Sequence, residues 1–564
     1  MRAGGAEPTD LAVSTTYALL NHLTRDTVVA GAAPASVLVN STLTVVAGLA
    51  LHLRTPSFTA LVVSLLLQRL EGHSRVSPSL VLLRLVALAP EAPRSSFDSV
   101  LAALSTAARA TLRRDGPLPL GGVAAALLRL ARVLDAAAEA RAAKIDAAPD
   151  GASRKAACIP VYLALLVEAG LHTHGGRTAA REAVPMLLPA VATLVAHEDV
   201  QVHLHAPTEL VYLFRQAWVV LSLSGATRRA PAARGDALHV LALKTPTLLP
   251  DSVRNYVDDD IDTHSVLKQD TLGATPASVR QALGLGARAL ESVRTLSLAR
   301  LAFVQAVLDV EQRRAACGRV SMALAYLTHP GVASSSLAAP LCEVAARVLD
   351  AFVTHAADRQ HAHAVDGVLA DEMRNVLLAL CHARAEVREL AHLYLERLPS
   401  VLPSVLAHPD VVVTMLELVA LLGRACDAEL DEAYMPAYTY RSPIANISID
   451  VSDLYAERRD RLSEVLARVR RLLSHAQEAT PHTLRGALLR YLHDEASADG
   501  LGASLALDYA RGRPQPIGVS KVRGDAAGPL AHDLLVQGAS QGAMGSASEA
   551  ECEQVRAALA AALE

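Results

Sequence analysis

From Arg461 to Leu473 the chain reads R-L-S-E-V-L-A-R-V-R-R-L-L. Leu462, Val465, Leu466, Val469, Leu472 and Leu473 fall at i, i+3, i+4, i+7, i+10 and i+11, while Arg461, Glu464, Arg468 and Arg471 fill the gaps. At the helical period the apolar set makes one stripe, so the segment is an amphipathic helix. Composition extends that reading to the whole chain, which is 52% hydrophobic but only 3% aromatic, its apolar bulk being Ala, Leu and Val. Ala and Leu favour helix, and the aromatic enrichment of sheet proteins is missing, which predicts an all-α protein. The 564 residues exceed the ~250–300 at which a single core stops growing, so several domains or one repeat array are required.

A second helix runs from Val387-Arg388 through Ala391, Leu395 and Leu398 towards Pro403. Its pattern, V-R-x-x-A-x-x-x-L-x-x-L, resembles the second helix of a HEAT-type repeat, and Val411 to Arg424 is the expected mate. Thr55-Pro56, Ser77-Pro78, Thr245-Pro246, Thr275-Pro276 and Thr480-Pro481 each set a hydroxyl before a proline, a common way to begin a helix. The expected fold is an extended α-solenoid of degenerate HEAT/armadillo-like repeats. The expected divisions are an N-terminal helical segment over 1–145, a loop from Asp146 to Lys155, a central solenoid over 156–426, a Tyr-rich acidic loop over 427–455, further solenoid helices over 456–510, a Gly-, Pro- and Ser-rich linker over 511–548 and a short terminal helix over 549–564. Within the Tyr-rich loop, Ile444 to Asp450 alternates and could be extended.

The net charge of −4 and pI of 6.6 supply no positive field for phosphates, so nucleic acid is not expected as a ligand. Six cysteines without a CxxC pair argue against a zinc module or disulfide framework and for a reducing, cytoplasmic setting. Only five of the 53 basic residues are lysines, an excess of arginine that suits a GC-rich genome more than a physical adaptation. Met1 to Asp10 carries Glu7 and Asp10 and reads as no secretory signal. Thr27 to Leu53 holds no charged residue and is long enough to span a bilayer, but Pro34, Asn40, Ser41, Thr42 and Thr44 interrupt it, and buried helices are the expectation.

No phosphate-binding loop, zinc-protease helix, nucleophile elbow or dinucleotide fingerprint occurs, and no Phe is followed by Gly, so no D-F-G exists. The chain is expected to be non-catalytic and to need no cofactor or metal. Asp358-Arg359-Gln360-His361 has the wrong order for a kinase catalytic loop. His355, His361 and His363 read as a solvated turn. Asp258-Asp259-Asp260-Ile261-Asp262 lacks the Gly and Glu of a calcium loop and reads as a solvated acidic turn or helix start. The only tryptophan, Trp218, shares a helix face with Leu210 and Phe214 and reads as a packed core aromatic.

The segment around Trp218 carries a family resemblance. Glu209 to Leu221 (E-L-V-Y-L-F-R-Q-A-W-V-V-L), Leu238 to Lys244 leading into Thr245-Pro246-Thr247-Leu248-Leu249, and an acidic stretch ending in Ser265-Val266-Leu267-Lys268 follow one another. Leu298 to Arg314, Ile449 to Arg459, Pro481 to Leu492 and Gly502 to Ala510 continue the order. Together, over about 204–510, they resemble the N-terminal region of type III alpha phosphatidylinositol 4-kinases. The resemblance implies a helical solenoid that carries a kinase domain and docks scaffold proteins at the plasma membrane, with peripheral recruitment of a cytoplasmic protein. The catalytic and metal-binding loops of a lipid kinase are missing, so no catalytic residue carries over. An unrelated cytosolic helical-repeat adaptor is the alternative, and a polytopic membrane protein a third.

Two candidate surfaces follow. Tyr434, Tyr438, Tyr440 and Tyr455 concentrate in the acidic loop, where tyrosine suits an interface with protein partners, scaffold subunits or a second copy; the loop could equally fold back as an internal brace. Arg458, Arg459, Arg468 and Arg471 belong to the densest basic cluster, which reads either as an ion-paired solvated face or as a contact for an anionic surface.

Overall fold

A computed structural model of the chain describes residues 8–25, 32–71, 78–113, 120–142, 150–171, 176–196, 200, 206–228, 232–267, 274–284, 287–359, 367–428, 438–493 and 500–511. The described residues are almost entirely helical, with one two-stranded hairpin, which makes the protein an all-α helical-repeat array. The expected linker and terminal helix lie outside the described residues beyond Arg511. Two compact units are distinguished, Met1–Arg314 with Ser334–Pro340 and Ala315–Ala333 with Leu341–Glu564.

The first unit opens with ten helices: α1 Pro8–Arg25, α2 Ala32–Leu53, α3 Pro56–Glu71, α4 Pro78–Leu88, α5 Arg94–Leu112, α6 Leu120–Ala142, α7 Asp150–Leu171, α8 Gly176–Ala196, α9 Thr208–Ser224 and α10 Ala232–Lys244. From α1 to α8, each helix packs on the next and on the one after that. Alternate helices therefore form two layers, the arrangement of stacked helix pairs in which every pair covers its neighbour's apolar face. α11 Val257–Thr263, α12 Pro276–Leu283, α13 Ala287–Arg294 and α14 Leu298–Ala316 follow. Among the described residues no helix is long and apolar enough to cross a membrane; in α2, Leu43, Val46, Ala47 and Ala50 are buried within the unit. The loop expected from Asp146 to Lys155 ends sooner, because α7 begins at Asp150. There Arg154 donates to the carbonyls of Ala89, Pro90 and Ala92 at 3.0, 2.6 and 2.9 Å, and buried Lys155 pairs with Asp135 at 3.0 Å.

The acidic run at 258–262 is a helix start and not a solvated turn: Asp258, Asp259 and Asp260 fall in the first turn of α11. Asp260 is buried, accepting from Tyr212 Oη at 2.7 Å and Arg215 Nη1 at 2.8 Å, while Asp258 and Asp262 both pair with Arg300. Burial and the bond to Asp260 push the Tyr212 phenol up to about 12. Trp218 is fully buried, as its helix face predicts, and its Nε1 donates to Thr245 Oγ1 at 2.9 Å. That bond explains why Thr245-Pro246 starts no helix: the Thr245 hydroxyl is committed to Trp218 and to the Leu241 carbonyl at 2.6 Å, closing α10. Thr275 does cap, in a reciprocal box with Ser278 at the start of α12.

The second unit holds α15 Met322–Thr328, α16 Ala338–Arg359 from Leu341 onward, α17 Gly367–Ala379, α18 Ala385–Val401, α19 Pro409–Asp427, α20 Tyr455–Ala479, α21 Pro481–His493 and α22 Leu501–Ala510, with strands β1 Thr439–Ser442 and β2 Ile447–Asp450. α18 packs on α17, α15 and α20, and α19 packs on α17, α20, α21 and α22. The mate of α18 is thus α17, not the helix that follows it. Between α18 and α19 the buried 3-10 turn Pro403–Ala407 packs on both and on α20, so the chain steps from one helix pair to the next at this point. The six apolar residues that define α20 are all buried, each contributing about 1.5–3 kcal/mol by leaving water.

Arginine has a structural use in both units. Arg154, Arg314, Arg384, Arg388 and Arg458 turn their guanidinium forks onto backbone carbonyls at helix ends and turns. A planar fork with five fixed donors satisfies two or three such acceptors at once, which a lysine ammonium does less well. The excess of arginine over lysine therefore has a physical component in this fold.

Candidate docking site at the tyrosine-rich hairpin

The stretch between α19 and α20 is, among the described residues, the one place where helix gives way to strand. β1 and β2 pair antiparallel with Thr439 opposite Asp450, Tyr440 opposite Ile449, Arg441 opposite Ser448 and Ser442 opposite Ile447. Alternation does the local work: Ser442, Ile447 and Ile449 are buried, while Thr439, Arg441, Ser448 and Asp450 are exposed. Asn446 closes the turn at φ 50°, a left-handed conformation that asparagine tolerates better than most residues.

Two arginines fasten the hairpin at opposite ends. At the tip, Arg374 of α17 donates from Nη2 to the Ala445 carbonyl at 2.7 Å and from Nε to Thr414 Oγ1 of α19 at 3.1 Å. At the base, Arg458 donates from Nε to Ser452 O at 2.6 Å and from Nη1 to Ala425 O at 2.9 Å, and lies 4.2 Å from the centroid of the Tyr438 ring. Val451 N donates to Tyr438 O at 3.0 Å, extending the ladder one step beyond the strands.

The expected partner-binding tyrosines divide accordingly. Tyr438 is half-buried beneath Arg458, Tyr440 is half-buried on β1, and Tyr455 is exposed at the first residue of α20 beside exposed Leu454. Tyr434 lies outside the described residues. The anionic-surface set divides as well. Arg458 and Arg468 are buried, so the expectation that they face an anionic surface is corrected; Arg459 and Arg471 are exposed.

Arg468 belongs to a clasp between α18 and α20. Its Nη2 donates to Glu396 Oε1 at 3.0 Å and its Nε to His392 Nδ1 at 3.2 Å, while His392 Nε2 lies 2.6 Å from Glu464 Oε1. An arginine Nε–H only donates, so Nδ1 accepts and Nε2–H donates to Glu464. The bond and charge of Arg468 hold the Glu396 carboxyl below the usual carboxylate range. Arg374, Arg458 and the His392 clasp were not legible as fasteners, because nothing in their spacing separates an arginine that turns inward from one that stays in water.

Among the described residues no metal-holding cluster competes with this region. Among the described residues no group of three or more His, Cys, Asp or Glu could hold a metal; His355 is exposed on α16, and His361 and His363 lie outside the described residues. Burial pushes the thiols of Cys158 and Cys381 up to about 12, so both stay protonated.

No protein-family model matches the chain. Over 313 residues it is 25% identical to the phosphatidylinositol 4-kinase stt4 of Schizosaccharomyces pombe, a match covering 54% of this chain and 16% of that protein. Over 337 residues it is 22% identical to phosphatidylinositol 4-kinase STT4 of Saccharomyces cerevisiae, covering 57% and 18% respectively. Over more than half its length the chain resembles fungal phosphatidylinositol 4-kinases. It matches less than a fifth of the length of these kinases. The similarity to phosphatidylinositol 4-kinases agrees with the resemblance read from the ordered blocks around Trp218, Leu298–Arg314 and Ile449–Arg459.

Proposed function

We propose that the chain is a non-catalytic helical-repeat scaffold of HEAT/armadillo type, corresponding to part of a phosphatidylinositol 4-kinase, and that it positions a catalytic domain and docks regulatory proteins for phosphoinositide synthesis at the plasma membrane. The observation that carries the reading is the similarity to two fungal phosphatidylinositol 4-kinases over 54% and 57% of the chain, joined to a fold made of stacked helix pairs. Stacked pairs expose long helix faces and carry little chemistry of their own. Phosphoryl transfer needs a phosphate cradle, a metal-holding pair and a group that orients the nucleophile, and the sequence has none of these in motif context.

Partner docking falls to the exposed edge of the hairpin region, where Leu454 and Tyr455 stand on a base fixed by Arg458. A rigidly backed aromatic loses little freedom on binding, which favours it as an interface anchor. The internal-brace role belongs to the other face, through Ile447 and Ile449. The 564-residue chain, purified and supplied with ATP, magnesium and phosphatidylinositol vesicles, is expected to form no phosphatidylinositol phosphate above a mock preparation. Formation above the mock would overturn the non-catalytic assignment.

A further inference from the structure

Four serines in the chain stand three residues after an arginine: Ser57, Ser297, Ser400 and Ser474. Arginine-directed serine kinases read that spacing, binding the guanidinium through carboxylates while the hydroxyl meets ATP. They take their substrate as extended chain, so a serine inside a helix is poorly presented to them. Ser57, Ser400 and Ser474 lie within α3, α18 and α20. Ser297 lies in the connection 295–297 between α13 and α14, outside any helix. It is exposed, as are Arg294 and Thr295, and of residues 294–297 only Leu296 is buried. Arg294 pairs with exposed Glu291 at 2.9 Å, a surface contact that a kinase displaces at little cost.

The hydroxyl of Ser297 also belongs to a network that a charge would disturb. Its Oγ donates to Asp262 Oδ1 at 2.6 Å and accepts from Arg300 N at 3.2 Å. Arg300, in the first turn of α14, donates from Nη2 to Asp262 Oδ2 at 2.6 Å, and its Nη1 lies 3.4 Å from Asp258 Oδ2. Asp258 in turn holds Ser336, accepting from its N at 3.0 Å and from its Oγ at 3.1 Å. Two carboxylates of α11 thus share one guanidinium. Arg300 Nε is buried and bonds to nothing among the described residues, so this guanidinium has a donor left for a further acceptor.

We propose that Ser297 is a phosphorylation site for an arginine-directed serine kinase, and that its phosphate takes Arg300 away from the aspartates of α11. Ser297 Oγ attacks the γ-phosphorus of ATP, the bond to the β–γ bridging oxygen breaks and ADP leaves, while the hydroxyl proton passes to the kinase's carboxylate base. The phosphoester oxygen has no proton to give Asp262, and the new group carries about −1.5 to −2 charges at neutral pH. It repels Asp262 and offers Arg300 three strong acceptors, a planar fork being well matched to phosphate. Asp258 and Asp262 then lose their shared cation, so the first turn of α11 and the Ser336 contact loosen. The site does not depend on the lipid-kinase role proposed above.

The test is incubation of the folded full chain with ATP, magnesium and the catalytic subunit of the cyclic-AMP-dependent kinase, an arginine-directed enzyme, followed by mass-spectrometric site mapping and hydrogen exchange. Ser297 is expected to be the main site. R294Q should slow incorporation there by about tenfold, as the loss of one charged contact does, while leaving the unfolding midpoint unchanged. Exchange over 257–263 should rise by about tenfold in the phosphorylated chain. S297A removes the Oγ–H donor without adding charge, and should raise that exchange less than phosphorylation does. Phosphate mainly at Ser57, Ser400 or Ser474, incorporation at Ser297 that R294Q leaves intact, or incorporation only into urea-unfolded chain would overturn the site. Exchange over 257–263 that phosphorylation leaves unchanged, or that S297A raises equally, would overturn the transfer of Arg300.

Discussion

The guanidinium of Arg458 is stacked 4.2 Å from the Tyr438 ring centroid while its Nη1 holds the Ala425 carbonyl at 2.9 Å. One side chain thus ties the first residue of the hairpin to the last turn of α19 from the second turn of α20. A buried arginine in this position cannot be replaced by an apolar residue without leaving carbonyls of Ala425 and Ser452 unsatisfied. Arg458→Ala is expected to cost about 2–4 kcal/mol locally and to raise hydrogen exchange across 438–451, with little change in α9. Arg458→Lys should recover only part of the protection, because an ammonium cannot both stack and fork. Unchanged exchange over 438–451 in R458A would show that the hairpin is held by Ile447 and Ile449 alone.

Trp218 makes a second prediction in the first unit. With the ring fully buried, Trp218→Ala should cost about 3–5 kcal/mol. Thr245→Val should cost about 1–3 kcal/mol by stranding the indole N–H. Tryptophan fluorescence reports the second variant directly: its emission should keep its blue position while the unfolding midpoint drops. A midpoint unchanged in T245V would mean that the indole finds another acceptor.

Acid should loosen the clasp between α18 and α20. Glu396 has a folded pKa below its unfolded value, through the bond and charge of Arg468. It therefore contributes stability that is fully present above about pH 4.5 and is lost as the pH falls through the lower folded value. Because Glu396 is more than half exposed, the effect is small and screened by salt. Comparing the acid limb of thermal unfolding below pH 4.5 for wild type and E396Q checks the sign. The wild type should lose stability more steeply than the variant, and parallel curves would refute the linkage.

The thiols give a reactivity order. Cys158 and Cys381 are buried with pKa values pushed up to about 12, so they should resist a thiol-specific reagent at pH 8 until the protein unfolds. Cys317 and Cys342, which are less buried, should react first in the native state. Mass spectrometry of the partially labelled chain distinguishes the two classes.

Much of the fold was legible because burial repeats along the chain. The stripe of α20 appears in the sequence as the six apolar residues that prove buried, and the alternation at Ile447 to Asp450 appears as strand β2. The pairing of α18 was not legible, since amphipathic helices carry no address: the partner of α18 depends on the buried turn at 403–407, whose residues read as ordinary connection. Arginine was the other blind spot. Arg458, Arg468 and Arg471 look alike in sequence, yet two are enclosed by carbonyls or an acidic and histidine clasp and one is exposed. The distinction arises from which helices flank α20, and helical period alone does not contain it.

The central claim is that this chain is a non-catalytic part of a phosphatidylinositol 4-kinase assembly. The most direct measurement is a lipid kinase assay on the tagged chain isolated from its own cells under native conditions, with phosphatidylinositol vesicles and labelled ATP and product analysis at the 4-position. The account predicts phosphatidylinositol 4-phosphate from the isolated assembly, removed by salt or detergent that strips associated proteins or by cleavage that separates any attached catalytic region. An isolated assembly that contains the intact chain and yields no 4-phosphorylated lipid would contradict it.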